Sequence, residues 1–182
     1  MAAAWLIVLL LAAGLVRADE PQYSEYQVKG AFLAKFAMFV EWPEKTFPSK
    51  QTPVVIGILG EDPFGPQFEA ALKREGANGR PFVLKHFNTP KELTDCQILF
   101  VGASESQRWQ EILEAARHKA ILTVGDHERF ARRGGMVNFI KEGDRLRFEV
   151  NAAAVEAGGL KMSAKLLQVA RLVTAEPTKG AP

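Results

Sequence analysis

The sequence has a single cysteine, three histidines and almost no net charge, and each shortage excludes a class of protein. Cys96 has no partner for an intramolecular disulfide, so the fold must depend on its apolar core rather than on cross-links. The 23 Lys and Arg residues nearly balance the 21 Asp and Glu residues, and Arg-Arg occurs only at Arg132-Arg133. Nucleic-acid-binding domains carry clustered basic residues, so we expect no nucleic acid as a partner.

The scarcity of histidine and cysteine also bears on chemistry. His86, His118 and His127 lie far apart and form no pair at metal-ligand spacing. No segment combines a base, a nucleophile and an oxyanion donor, so we expect neither an enzyme nor a cofactor. Cys96 precedes the apolar run 98–101, which favours a buried thiol in a strand; an intermolecular disulfide or a reactive thiol is the alternative.

Long apolar runs are missing except at the start of the chain. Residues 2–15 are apolar apart from small residues, and Val16-Arg17-Ala18 follows them. This pattern is typical of a secretory signal peptide, cleaved after Ala18, that takes the protein out of the cytoplasm. Because no Lys or Arg precedes the apolar run, an uncleaved anchor is the alternative. We expect one domain over residues 19–175 and a flexible tail over residues 176–182.

Three short apolar runs suggest the architecture of that domain. Residues 54–60, 98–102 and 121–125 are continuous apolar stretches that end in glycine, and each precedes a helix-start signal. Buried parallel strands have this pattern. Strands alternating with helices predict an α/β fold, a single domain with a mostly parallel sheet flanked by helices.

Helix and turn signals complete the prediction. Residues 24–42 form an apolar helix with a capping box at Ser24 and Gln27, and further helices are expected at residues 67–74 and 107–117. Alternation in residues 145–150, after the turn residues 142–144, predicts a C-terminal β-hairpin with residues 136–140. Caps at Asn151 and Ser163 predict two more helices.

The parallel sheet suggests a ligand crevice where its strands end. The loops after the three apolar runs carry Glu61, Asp62, Ser104 and Asp126, with Glu105 and His127 beside them. Carboxyl ends of parallel strands share one edge, so these side chains can converge there on a small ligand. Alternatively, each of them caps a helix N-terminus.

Aromatic residues and arginines supply candidates for protein contact, because such residues dominate binding hot spots. One group surrounds Trp42-Pro43, for which a place in the core is the alternative. A second lies before Gly134-Gly135, where basic residues also suit a helix C-terminus. A third is the polar face of the hairpin, which a merely solvated strand would also show. The candidates are Phe39, Glu41, Trp42, Pro43, Arg132, Arg133, Arg145, Arg147 and Glu149.

Several segments, in the same order, resemble the YfiR-like family of exported bacterial proteins. They are Val28-Lys29-Gly30-Ala31-Phe32-Leu33, Phe39-Val40-Glu41-Trp42-Pro43, Gly60-Glu61-Asp62-Pro63-Phe64-Gly65, Cys96-Gln97-Ile98-Leu99-Phe100, Phe130-Ala131-Arg132-Arg133-Gly134-Gly135-Met136-Val137-Asn138-Phe139 and Arg147-Phe148-Glu149-Val150-Asn151. The resemblance implies a small α/β periplasmic protein, typically a homodimer. Such a protein represses an inner-membrane diguanylate cyclase by contacting its periplasmic domain, which lowers cyclic di-GMP and biofilm formation.

The resemblance also implies that an outer-membrane lipoprotein can sequester the repressor and free the cyclase. This chain departs from its best-known relative in having only Cys96, so redox control through an intramolecular disulfide is excluded. The alternative function is a periplasmic sensor module that binds a small ligand at the strand ends and acts on another membrane protein.

Overall fold

The structure is a computed structural model, and it describes residues 24–176. The predicted signal peptide, residues 1–18, lies outside this range, as does all of the predicted tail except Glu176. No helix within residues 24–176 combines the length and the apolar character that crossing a membrane requires.

The first helix, α1, spans Glu25–Phe39 and has the predicted capping box at Ser24 and Gln27. It ends three residues before the predicted end at Trp42. The reason is a long-range pairing: Val40–Glu41 forms a short strand, β1, that pairs with β9, Lys161–Met162, in a separate two-stranded sheet. Pairing with a distant strand therefore overrides the helical pattern at this point.

Four parallel strands form the centre of the main sheet. They are β2 Val54–Leu59, β4 Arg80–Phe87, β5 Ile98–Val101 and β6 Leu122–Gly125, and three of them, β2, β5 and β6, are the predicted apolar runs. The remaining strands of this sheet are β3 Gly76–Ala77, β7 Val137–Glu142, β8 Arg145–Val150 and β10 Arg171–Leu172. The full order is β10-β8-β7-β6-β5-β2-β4-β3. Within this sheet, over the described residues, only the β7–β8 and β3–β4 pairs are antiparallel.

The predicted hairpin is confirmed as β7, Val137–Glu142, and β8, Arg145–Val150. Gly143 has a φ of 59°, a conformation that suits glycine in the two-residue loop. Only the first two residues of β7 pair with β6, so the outer part of the hairpin extends beyond the parallel sheet. The edge strand β10 then pairs with the end of β8.

The sheet has a core cluster on each face. The larger cluster contains α1, whose Phe36 ring lies 5.3 Å from Phe148 and 6.0 Å from Phe139, centroid to centroid. The same cluster includes residues of α2 Pro66–Leu72, α4 Ala152–Ala157 and α5 Ala164–Val169. The smaller cluster packs Ile112 of α3, Trp109–Ala116, and Phe130 against the opposite face. Helices thus flank both faces of the sheet.

The caps predicted for the last two helices are confirmed, because Asn151 accepts from the Ala154 amide and Ser163 from the Leu166 amide. The cap predicted at Ser104 is wrong. A 3₁₀ turn spans Ala103–Glu105, and α3 begins only at Trp109. Ser104 Oγ instead accepts a hydrogen bond from the Glu61 amide, which joins the loops after β5 and β2.

Candidate interaction surface

Two of the segments predicted to contact a partner meet directly. Arg132 lies in a 3₁₀ turn, Ala131–Arg133, and its Nη2 donates to Glu149 Oε1 of β8 at 3.0 Å. A second arginine, Arg171 of β10, has its Nε 3.9 Å from the same oxygen. The turn and the hairpin therefore belong to one continuous surface.

The position of Glu149 corrects its predicted exposure. Alternation placed it with Arg145 and Arg147 on a solvated face, and those two arginines are indeed exposed. Glu149 is only 4% exposed, because Arg132 and β10 cover the end of β8. A buried carboxylate requires a paired charge, so Glu149 links β8 to the turn of Arg132 through this ion pair.

Arg133 points toward α3 rather than toward Glu149. Its guanidinium carbon lies 5.6 Å from the centroid of the Trp109 ring, a cation–π arrangement. Gly134 ends the turn with a φ of 104°, which an L side chain rarely adopts. Arg133 is exposed, and no ion pair involves it within residues 24–176. The predicted helix C-terminus is thus a single 3₁₀ turn that presents a free arginine.

A groove of about 480 Å³ opens beside Arg133 and Trp109. Its walls come from α3 and α4, and its floor includes Met136 and Thr123. The walls are mostly apolar, with Leu113 on one side and α4 residues on the other. Neither Trp109 nor this groove was predicted from the sequence, because the pattern around Trp109 indicated only a helix.

The segment around Trp42 is mostly packed against the protein. Phe39 and Trp42 are half-buried against the larger core cluster, and Trp42 meets the Phe47 ring at 6.2 Å. Trp42 Nε1 is buried and has no hydrogen-bond acceptor among the residues described. Glu41 is exposed, while Pro43 is half-buried. The core interpretation therefore fits Phe39 and Trp42, and Glu41 is the accessible residue of this corner.

The loops at the strand ends converge only in part. Glu61 and Ser104 meet through the hydrogen bond already described, and both are exposed. Asp62 Oδ2 lies 2.8 Å from His86 Nε2, and its Oδ1 accepts from the Phe64 amide, so its carboxylate is engaged locally. Glu105 is buried and pairs with Arg108 at 2.6 Å. The carboxylates of Asp62 and Glu105 thus serve internal contacts, whereas Glu61 contributes only its backbone amide.

Asp126 lies in a different environment from the other crevice residues. Its side chain is 2% exposed, and Oδ2 accepts from Tyr26 Oη at 3.0 Å and from Lys29 Nζ at 3.1 Å. Lys29 is itself buried and also pairs with Glu25 at 2.7 Å. No α-helix follows Asp126 directly, so the predicted cap is wrong at this residue as well. Asp126 instead anchors α1 to the end of β6.

The charges of this cluster stabilise one another. Burial alone would lower the pKa of Lys29, but its hydrogen bond to Glu25 and the charge of Asp126 outweigh that effect and raise the pKa. The hydrogen bond from Lys29 lowers the pKa of Glu25. Burial and then Asp126 raise the pKa of Tyr26. Tyr26 and Lys29 were not predicted as site residues, because nothing local links α1 to a loop about a hundred residues away.

Two more titratable groups are shifted by burial. Burial lowers the pKa of His127, whose ring packs on Phe130 at 4.9 Å and whose Nε2 is buried without a partner in the described part of the chain. Burial raises the pKa of the Cys96 thiol to about 12. A thiol that stays protonated is a poor nucleophile, so the structure supports the packing interpretation of Cys96.

Within residues 24–176, no group of three or more His, Cys, Asp or Glu side chains is arranged to hold a metal ion. The family described as YfiR/HmsC-like, DUF4154, matches residues 26–171. The match begins in α1 and ends in β10, so it covers both core clusters and the surface formed by Arg132 and Glu149. Members of this family are periplasmic and regulatory rather than catalytic. The chain belongs to the YfiR/HmsC-like family, whose members regulate diguanylate cyclase signalling.

Proposed function

We propose that this protein is an exported repressor of a membrane-bound diguanylate cyclase. It contacts the periplasmic domain of the cyclase, lowers cyclic di-GMP and thereby limits biofilm formation. The family supports the class of function. The observation that carries a contact mechanism is the exposed Arg133, which has no carboxylate partner within residues 24–176 and lies against Trp109 at the mouth of an apolar groove. Tryptophan and arginine beside an apolar pocket are the composition of a binding hot spot.

Glu41, at the corner around Trp42, is the second contact that we propose for the cyclase. It is exposed on β1, whereas Phe39, Trp42 and Pro43 support the corner from below. Arg145 and Arg147 of the hairpin extend the same surface as Arg132. An outer-membrane lipoprotein that binds this surface would compete with the cyclase, so the relative affinities of the two partners set the signal. We also propose that the protein acts as a homodimer.

Deletion and complementation in the host test the proposal. Deleting the gene should raise cyclic di-GMP, and wild-type protein should restore the low level. Arg133→Glu or Glu41→Lys should restore it only in part, because a charge of the wrong sign opposes docking. Arg74→Glu serves as the matched control for Arg133→Glu, since Arg74 is exposed at the end of α2. Unchanged cyclic di-GMP after deletion would contradict the proposed function.

Export has its own test. Periplasmic extract should contain protein whose N-terminal residue is Asp19, because cleavage is expected after Ala18. A chain that starts at Met1 and sediments with the membranes would instead support the uncleaved anchor.

The groove beside Trp109 also favours a second candidate, a sensor that binds a small ligand. Its volume, about 480 Å³, lies in the usual range for such sites. This site differs from the predicted crevice, where the carboxylates of Asp62, Glu105 and Asp126 make internal contacts. A ligand that binds only the folded state must raise the melting temperature. A metabolite that stabilises the wild type but not a Leu113→Arg variant would support the sensor.

A further inference from the structure

The outer part of the hairpin has one face packed and one face open. Phe139 and Phe148 pair directly and pack on Phe36 of α1. Directly paired residues of an antiparallel ladder share a face, so the pairs Ile140–Arg147 and Glu142–Arg145 lie on the other side. Arg145 and Arg147 are exposed there, and Ile140 is half-buried. We call Ile140, Arg145 and Arg147 the arginine face.

Two acids near the arginine face are already neutralised, whereas the exposed Asp144 of the hairpin loop makes no ion pair within residues 24–176. Glu149 pairs with Arg132 at 3.0 Å, and Glu142 lies 3.6 Å from Arg171. Arg145 and Arg147 make no ion pair within residues 24–176, where every ion pair of the hairpin involves Arg132 or Arg171. The arginine face therefore presents two guanidinium groups that form no ion pair in the described part of the chain, beside one apolar side chain.

We propose that the arginine face binds an acidic segment of the partner protein. Carboxylates of that segment pair with Arg145 and Arg147, and an apolar side chain next to them packs on Ile140. This inference rests on the proposed function, and it adds the chemistry of the partner: a stretch of Asp or Glu residues interrupted by an apolar residue.

The arrangement of charges favours an acidic protein segment over other anions. A guanidinium presents a planar fork that matches a carboxylate with two parallel hydrogen bonds. Binding to an anionic membrane typically takes a cluster of roughly four to eight Lys or Arg residues. The arginine face offers two free cations, with Glu142 and Asp144 beside them. Two cations are too few for a lipid surface but enough to orient a peptide.

A pair of variants with equal charge change tests the inference. The variant Arg145→Glu/Arg147→Glu reverses the arginine face. The control Lys35→Glu/Arg74→Glu reverses two exposed cations elsewhere, on α1 and after α2. Both variants should keep the wild-type melting temperature and circular dichroism, because all four side chains are exposed. The probe is the recombinant periplasmic domain of each membrane-bound diguanylate cyclase that the host genome encodes.

We expect the wild type to bind one of these domains and to bind it more weakly as sodium chloride rises from 50 to 300 mM. The arginine-face variant should bind about tenfold more weakly or worse, whereas the control should stay within about twofold of the wild type. Replacing the acidic residues of the bound domain with Lys should restore binding to the arginine-face variant.

The other outcomes separate the inference from the proposed function. Equal binding by the wild type and the arginine-face variant would overturn the inference and leave the repressor function standing. An equal loss in the control would show a general charge effect and would also overturn it. Sedimentation of the wild type, but not of the arginine-face variant, with phosphatidylglycerol vesicles would assign the face to a membrane. If none of the periplasmic domains binds the wild type, and deletion of the gene leaves cyclic di-GMP unchanged, both proposals would be overturned.

Discussion

Arg132 and Glu149 form an ion pair that joins a turn between β6 and β7 to the end of β8. The carboxylate is buried, whereas the guanidinium is one-third exposed. The Glu149 carboxylate is thus buried at the edge of the sheet, and the positive charge of Arg132 compensates for the loss of its hydration. It also fixes the turn from which Arg133 reaches Trp109.

We expect Arg132→Ala to destabilise the protein by about 2–3 kcal/mol, because it leaves the buried Glu149 with only the distant Arg171. Urea unfolding monitored by tryptophan fluorescence measures this change. Arg133→Ala, in which the neighbouring arginine is lost, should change stability by less than about 0.5 kcal/mol. The double variant Arg132→Ala/Glu149→Gln should recover part of the loss. No recovery would mean that the ion pair is not the source of the effect.

Asp126→Ala should destabilise the protein by about 3 kcal/mol, because it leaves the ammonium of Lys29 buried with a single carboxylate partner. Hydrogen exchange should then be faster in α1 than in β6, since Asp126 is the residue that ties the helix to the strand end. An apolar pair, Lys29→Met/Asp126→Leu, removes both charges and should be less destabilising than Asp126→Ala. If the apolar pair is the less stable variant, the cluster contributes through its charges rather than through its packing.

The lowered pKa of His127 predicts lower stability in mild acid. Its ordinary value is 6.5, and burial keeps the folded value below this. Between the two values the unfolded chain binds more protons than the folded chain, so stability falls as the pH drops below about 6.5. Urea midpoints at pH 7.5 and pH 5.5 should differ more for the wild type than for His127→Gln. Equal differences would assign the acid sensitivity to other groups.

Cys96 should resist thiol reagents while the protein is folded. Its side chain is buried, and its pKa of about 12 leaves almost no thiolate at neutral pH. Reaction with a chromogenic disulfide reagent at pH 8 should be slow in buffer and complete within minutes in urea. A Cys96→Ser variant gives the background signal. Fast labelling of the native protein, or a dimer on non-reducing electrophoresis, would contradict this prediction.

Local signals made most of the fold predictable. The apolar runs that became β2, β5 and β6, the turn at Gly143, and the caps at Asn151 and Ser163 each depend on residues close in sequence. The interactions that form these elements join residues close in sequence, so the local pattern is enough to predict them.

Contacts between distant segments were not predictable. The local pattern predicts Val40 to be helical, but its pairing with Met162 makes it part of a strand. The pattern also predicts Glu149 to be solvated, but Arg132 covers it. The sequence around Asp126 predicts a helix cap, but its carboxylate instead pairs with Lys29, which lies far away in sequence. The candidate surface was the least predictable part, because ion pairs between segments that are distant in sequence form it.

The packing of Phe36 on Phe139 and Phe148 constrains the order in which the protein can fold as the chain is made. Synthesis from the N-terminus presents α1 first, about a hundred residues before the hairpin that buries it. Until then the apolar side of α1 faces water, and native pairing of such distant segments is slow. Folding of the first helix onto the sheet is therefore completed only when the hairpin has emerged.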